Sequence, residues 1–141
     1  MKLALGIAGW ANIVIGALHV LILVRAREMF YWVGIGPEMD RLAAVHFLLP
    51  YLLSVATGAV FCVFGLYALA AAGDIGWLPF LRPAIILISW VYLVRAVGGT
   101  GMGGFIEDAT FKDAAFSTVA LTIGVLYAIG ARALAEGAER S

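Results

Sequence analysis

Three long runs of residues without a charged side chain restrict the fold of this chain more than any other feature. They contain 22 residues between Lys2 and Arg25, 32 between Arg41 and Asp74, and 18 between Asp113 and Arg132. About 20 mainly apolar residues are enough for a helix to cross the hydrocarbon of a bilayer. Only 13% of the residues are charged, whereas soluble domains carry about 25%. The sequence therefore predicts an integral membrane protein.

A shorter run predicts a fourth span. Twelve uncharged residues separate Arg82 from Arg95, and a helix from about 79 to 98 would tolerate Arg95 near its end. The runs are continuously apolar, which favours helices over a β-barrel. We therefore predict an all-α fold, a single four-helix transmembrane bundle over residues 1–141 with short loops. Its spans are expected near 3–25, 44–72, 79–98 and 114–134.

Four spans would place both termini on one side of the membrane. That side would carry four basic residues and the other side five, and Arg95 is discounted because it is expected within the membrane. The counts barely differ, and we expect a bacterial inner membrane protein with both termini in the cytoplasm. No small-residue cleavage site precedes Arg25, so we expect the first span to be retained.

Several classes of function are disfavoured by the composition. Nine basic and nine acidic residues balance, so no nucleic acid partner is expected. A single cysteine, Cys62, excludes an internal disulfide framework and any cysteine-based zinc site. Gly99, Gly101 and Gly104 match a dinucleotide-binding pattern, but this pattern follows a membrane helix rather than a strand. We expect a loop there, and no motif identifies a cofactor or a metal.

Helical spacing gathers small and polar residues into one stripe on each of three spans. The first stripe consists of Leu5, Gly9, Asn12, Gly16 and His19. The second consists of His46, Pro50, Ser54, Thr57 and Phe61, and the fourth span carries Ser117, Ala120, Gly124 and Tyr127. Small residues allow membrane helices to approach closely, and polar side chains bond between them. These stripes are expected to face other helices.

The ionisable residues are predicted to meet near one membrane face. His19 lies six residues before Arg25, His46 lies five residues after Arg41, and Arg95 ends the third span. The loops expected on that face carry the acidic residues Glu28, Glu38, Asp40, Glu107, Asp108 and Asp113. Intramembrane ionisable residues usually face the interior or a water-filled cavity. We therefore predict a polar ligand-binding pocket formed by His19, His46 and Arg95, with Asn12 and Glu28 as further candidates.

Several interpretations of this cluster stay open. The pocket could hold a small lipophilic molecule, with Arg95 binding an anionic head group and a histidine moving a proton. His19 and His46 could instead ligate a metal or haem, or the chain could be a proton-coupled exporter. In a purely structural interpretation, Arg95 extends to the interface or pairs with Glu28 or Glu107, and His19 bonds to a neighbouring helix. The expected partners are membrane lipids and a lipophilic small molecule.

A non-catalytic role is the competing class. Short loops and small-residue helix faces also suit an accessory subunit of a larger membrane complex or a homo-oligomer. The sequence does not decide whether the protein is an enzyme.

The layout resembles that of small four-helix bacterial membrane proteins loosely called DoxX-like. The shared features are the size, the absence of a soluble domain and a glycine-punctuated first helix with Leu5, Gly6, Gly9 and Gly16. This resemblance implies an architecture rather than a chemistry.

A second resemblance concerns the start of the second span and the end of the third span. Arg41, His46 and Pro50, together with Arg95, are similar to positions in membrane-associated glutathione and eicosanoid enzymes. Those are four-helix proteins, typically trimeric, so the resemblance implies a glutathione-transferase-like activity. The Asn and Glu of that family's second-helix motif are absent here, where Phe47, Leu48 and Leu49 stand.

Overall fold

The chain folds into helices joined by short connections. The computed structural model describes residues 2–76, 78–98 and 111–138, and no β-strand occurs among them. The helices are α1 (Lys2–Leu21), α2 (Ala26–Val33), α3 (Gly36–Val45), α4 (Leu49–Ala72), α5 (Leu81–Val97) and α6 (Phe111–Ala138). A 3₁₀ turn, Ile22–Arg25, joins α1 to α2. The predicted all-α class is confirmed. The glycine pattern at Gly99, Gly101 and Gly104 lies outside the described residues, as do Glu107 and Asp108.

Three helical segments in the described part of the chain are long and apolar enough to cross a membrane. They are Lys2–Val33, Leu49–Ala72 and Phe111–Glu136. The predicted third span also forms a helix, but α5 has only 17 residues. At about 1.5 Å per residue it is about 26 Å long, slightly less than the hydrocarbon thickness of about 30 Å.

The second predicted span begins later in the structure than at residue 44. In an uninterrupted helix, the ring of Pro50 would clash with the carbonyl of residue 46 and a hydrogen bond would be missing. The chain instead leaves α3 at His46, whose backbone is extended (φ −159°, ψ 129°). Helix α4 then begins at Leu49, so Pro50 lies in its first turn, where no backbone donor is needed.

The chain divides into two compact units, and the internal unit is Asn12–Phe64. Its α1 and α4 segments approach closely at Gly16. A Cβ atom at Gly16 would lie 2.7 Å from the Gly58 carbonyl oxygen and 2.6 Å from the Cys62 Sγ. Farther along α1, the Cβ of His19 is 3.1 Å from the position that a Cβ at Gly58 would occupy. The two segments are therefore antiparallel.

The terminal unit consists of Met1–Ala11 and Gly65–Ser141. A Cβ atom at Gly9 would lie 2.8 Å from the Leu69 side chain. The side chain of Leu5 occupies the place where a Cβ at Gly130 would lie, which brings the start of α1 beside the end of α6. The predicted interhelical contacts of Gly9 and Gly16 are thus confirmed.

Helices α5 and α6 pack against each other in the terminal unit. The Ser89 hydroxyl on α5 donates a hydrogen bond to the Gly124 carbonyl oxygen on α6, over 3.0 Å. Tyr92 and Tyr127 stack with their ring centroids 6.1 Å apart. Ala96, near the end of α5, shares a cavity wall with Ser117, near the start of α6. The helices are therefore antiparallel.

Burial follows the predicted stripes on α1 and α6. The buried members are Leu5, Gly9, Asn12 and Gly16 on α1, and Ser117, Ala120, Gly124 and Tyr127 on α6. On the opposite face of α1, the side chains of Ile7, Trp10 and Val14 are more than half exposed. Water would not favour such an apolar surface, but lipid chains would cover it without cost.

Three threonine hydroxyls on α4 and α6 bond within their own helices. Thr57 donates to the Leu53 carbonyl, Thr118 to the Ala114 carbonyl and Thr122 to the Thr118 carbonyl, each over 2.8 Å. A hydroxyl in hydrocarbon must find a partner within the protein, because no water is present. These side chains meet that requirement with the carbonyl one turn earlier.

Candidate functional site

The His19 ring lies in the last turn of α1 and is partly buried. Its Nδ1 atom is 2.8 Å from the Ile15 carbonyl oxygen. A carbonyl oxygen can only accept a hydrogen bond, so Nδ1 carries a proton and donates it. In the neutral imidazole, Nε2 then has a free lone pair, which can accept a proton or a hydrogen bond.

Aromatic packing holds the other side of the His19 ring. Its centroid is 5.1 Å from that of Phe61 on α4, and the two ring planes are tilted by 40°. Phe61 contacts Phe64 edge-on, with the centroids 6.5 Å apart. The ring is therefore fixed by a backbone carbonyl on one helix and an apolar aromatic pair on another.

His46 lies in the break between α3 and α4 and is exposed. The Leu48 amide donates to its Nδ1 atom over 3.2 Å, and its ring stacks on Phe47 with the centroids 5.0 Å apart. Because Nδ1 accepts a hydrogen bond, the proton of the neutral ring is on Nε2. His46 thus offers a donor where His19 offers an acceptor. Helical spacing assigns His46 to the stripe of the second span, but the break takes it off that helix.

Asn12 and Glu28 differ in their surroundings. Asn12 is fully buried on the same α1 stripe as His19. Glu28 is exposed and forms an ion pair with Arg25, one turn earlier, over 2.8 Å. Pairs of this kind on a protein surface contribute about 0–1 kcal/mol. Glu28 is therefore occupied by a local partner.

Arg95 lies in the last turn of α5 and is exposed. It forms no ion pair with any other residue in the described ranges. Arg95 belongs to the terminal unit, whereas both histidines belong to the internal unit. A shared pocket of the three residues stays a prediction.

A polar cluster on the α2–α3 hairpin was not predicted. The Tyr31 hydroxyl donates to the Asp40 carboxylate over 2.5 Å, and Arg27 lies 3.7 Å from the same oxygen. Gly34 ends α2 with a positive φ of 91°. The sequence signal for this hairpin was the pair Gly34 and Gly36 followed by a proline, which is typical of a turn between two short helices.

No set of three or more His, Cys, Asp or Glu side chains within residues 2–76, 78–98 and 111–138 is placed to hold a metal ion. Comparison of the chain with protein families, curated proteins and solved structures found no match. What the site can bind is therefore inferred from the side chains that form it.

Proposed function

We propose that the protein is a four-span integral membrane protein of a bacterial inner membrane, with both termini in the cytoplasm, that binds a small lipophilic molecule at His19. The apolar outer faces and the internally bonded threonines support a location in lipid. In the terminal unit, the contact between the start of α1 and the end of α6 and the antiparallel packing of α5 on α6 support α5 as the remaining span. A short span is accommodated by local thinning of the bilayer, at modest cost.

The arrangement around His19 carries the proposed binding function. Because Nδ1 is committed to the Ile15 carbonyl, Nε2 is the ring atom that is left for a ligand. The Phe61 ring supplies an apolar, aromatic surface beside it. Pockets for lipophilic molecules combine mainly apolar walls with few polar groups that fix the orientation of the ligand. The ligand we propose is therefore lipophilic and carries a group that donates a hydrogen bond to Nε2.

The test compares what co-purifies with the protein and with two variants. His19→Phe keeps an aromatic ring beside Phe61 but removes the acceptor. Leu18→Phe adds a ring at a neighbouring, half-exposed position and serves as the matched control. After extraction in mild detergent, native mass spectrometry should find one bound small molecule on the parent protein and on Leu18→Phe, but none on His19→Phe.

Equal retention by the His19→Phe variant would contradict a role of this ring in binding. A stable larger protein partner, found in place of a small molecule, would favour the accessory-subunit class instead.

A further inference from the structure

A cavity between α5 and α6 belongs to the terminal unit, whereas both histidines belong to the internal unit. It has a volume of about 120 Å³ and is lined by Ala96, Val97, Ser117, Thr118 and Leu121. A water molecule occupies about 30 Å³ of the liquid, so the cavity can hold a group of several non-hydrogen atoms. None of these five side chains is charged, which favours a neutral occupant.

The hydroxyl of Ser117 distinguishes this cavity from an ordinary packing defect. Ser117 is only 2% exposed, and its Oγ atom has no hydrogen-bond partner among the described residues. The neighbouring hydroxyls of Thr118 and Thr122 bond to their own helix, and Ser89 bonds across to α6. A buried hydroxyl without a partner is unfavourable, so an acceptor supplied from outside the chain would stabilise the site.

The surroundings of the cavity indicate where that acceptor comes from. Val97, Thr118 and Leu121 are exposed on the outer surface of the two helices, whereas Ala96 and Ser117 are buried. A molecule that enters past these exposed side chains comes from the bilayer, provided the membrane location proposed above holds.

We propose that this cavity binds the carbonyl oxygen of a neutral lipophilic molecule, which accepts a hydrogen bond from the Ser117 hydroxyl. A carbonyl provides the acceptor that a hydroxyl donor needs and carries no charge. Two sources share this chemistry: the acyl ester of a bilayer lipid and the ring carbonyl of a quinone. The inference rests on the proposed membrane location, but it does not depend on ligand binding at His19.

The test uses the full chain in nanodiscs of three compositions. The first contains a diester phospholipid, the second the corresponding diether phospholipid without carbonyl groups, and the third the diether lipid with a short-chain benzoquinone. The parent protein should melt at a higher temperature in the first or third disc than in the second. The disc that restores the higher melting temperature identifies the source of the carbonyl.

Two substitutions at one position and one control complete the experiment. Ser117→Ala should abolish the difference between discs, and Ser117→Cys, with a weaker donor of similar size, should reduce it. Thr122→Val should keep the full difference, because the Thr122 hydroxyl already donates to the Thr118 carbonyl and the cavity is lined by other residues.

Three outcomes would overturn the proposal. The first is an unchanged difference in the Ser117→Ala variant, and the second is an inserted parent protein that melts equally in all three discs. Failure of the parent protein to enter any disc would overturn the membrane location itself and this site with it.

Discussion

At the residue scale, the approach of α1 to α4 in the internal unit depends on the missing side chain of Gly16. A Cβ there would be 2.7 Å from a backbone carbonyl, which cannot turn away as a side chain can. We expect Gly16→Leu to lower the free energy of unfolding by about 1–3 kcal/mol, the usual cost of overpacking. Gly98→Leu is the control, because, apart from its chain neighbours and its own helix backbone, no described residue has an atom within 4 Å of a Cβ at that position. Thermal unfolding in detergent measures both variants, and equal stability of the two would show that the Gly16 face is not packed.

At the element scale, Pro50 determines where α3 ends and α4 begins. In Pro50→Ala, the clash with the residue 46 carbonyl disappears and residue 50 regains its amide, so we expect one helix to run through residues 46–49. Amide hydrogen exchange of this segment should slow in the variant. Pro83→Ala, in the first turn of α5, is the control. It should leave the exchange of residues 46–49 unchanged, because Pro83 does not form the break between α3 and α4. Unaltered exchange at residues 46–49 in Pro50→Ala would assign the break to another cause.

The sequence predicts which faces of the helices are buried, but it does not predict the helix break at Pro50 or the side-chain rotamers. The faces of α1 and α6 were predictable, because facing depends only on helical periodicity, and Asn12 and Ser117 are buried as expected. Periodicity alone misplaces His46, since a proline overrides it locally. The Nδ1 partner of His19 and the unpartnered Ser117 hydroxyl depend on side-chain rotamers, which spacing does not determine.

At the scale of the whole molecule, the crossing of α5 decides the topology. With α5 as a span, the chain crosses four times, and residue 141 lies on the side opposite the α2–α3 hairpin. Without it, the chain crosses three times and the two positions share a side. In a Cys62→Ala background, we expect cysteines at Glu38 and Ser141 to react with an impermeant reagent from opposite sides. Reaction of both from the same side would exclude the four-span arrangement.

The hydrogen bonds of the threonine and serine hydroxyls bear on the order in which the helices form and pair. Thr57, Thr118 and Thr122 find their acceptors one turn earlier in the same helix, so each helix can enter the bilayer alone with these groups already satisfied. The acceptor of Ser89 is on another helix, at Gly124, and this bond forms only when α5 and α6 meet. In a lone α5 the Ser89 hydroxyl would have to turn to a carbonyl of its own helix, so its bond to Gly124 marks a step of helix pairing rather than of single-helix formation.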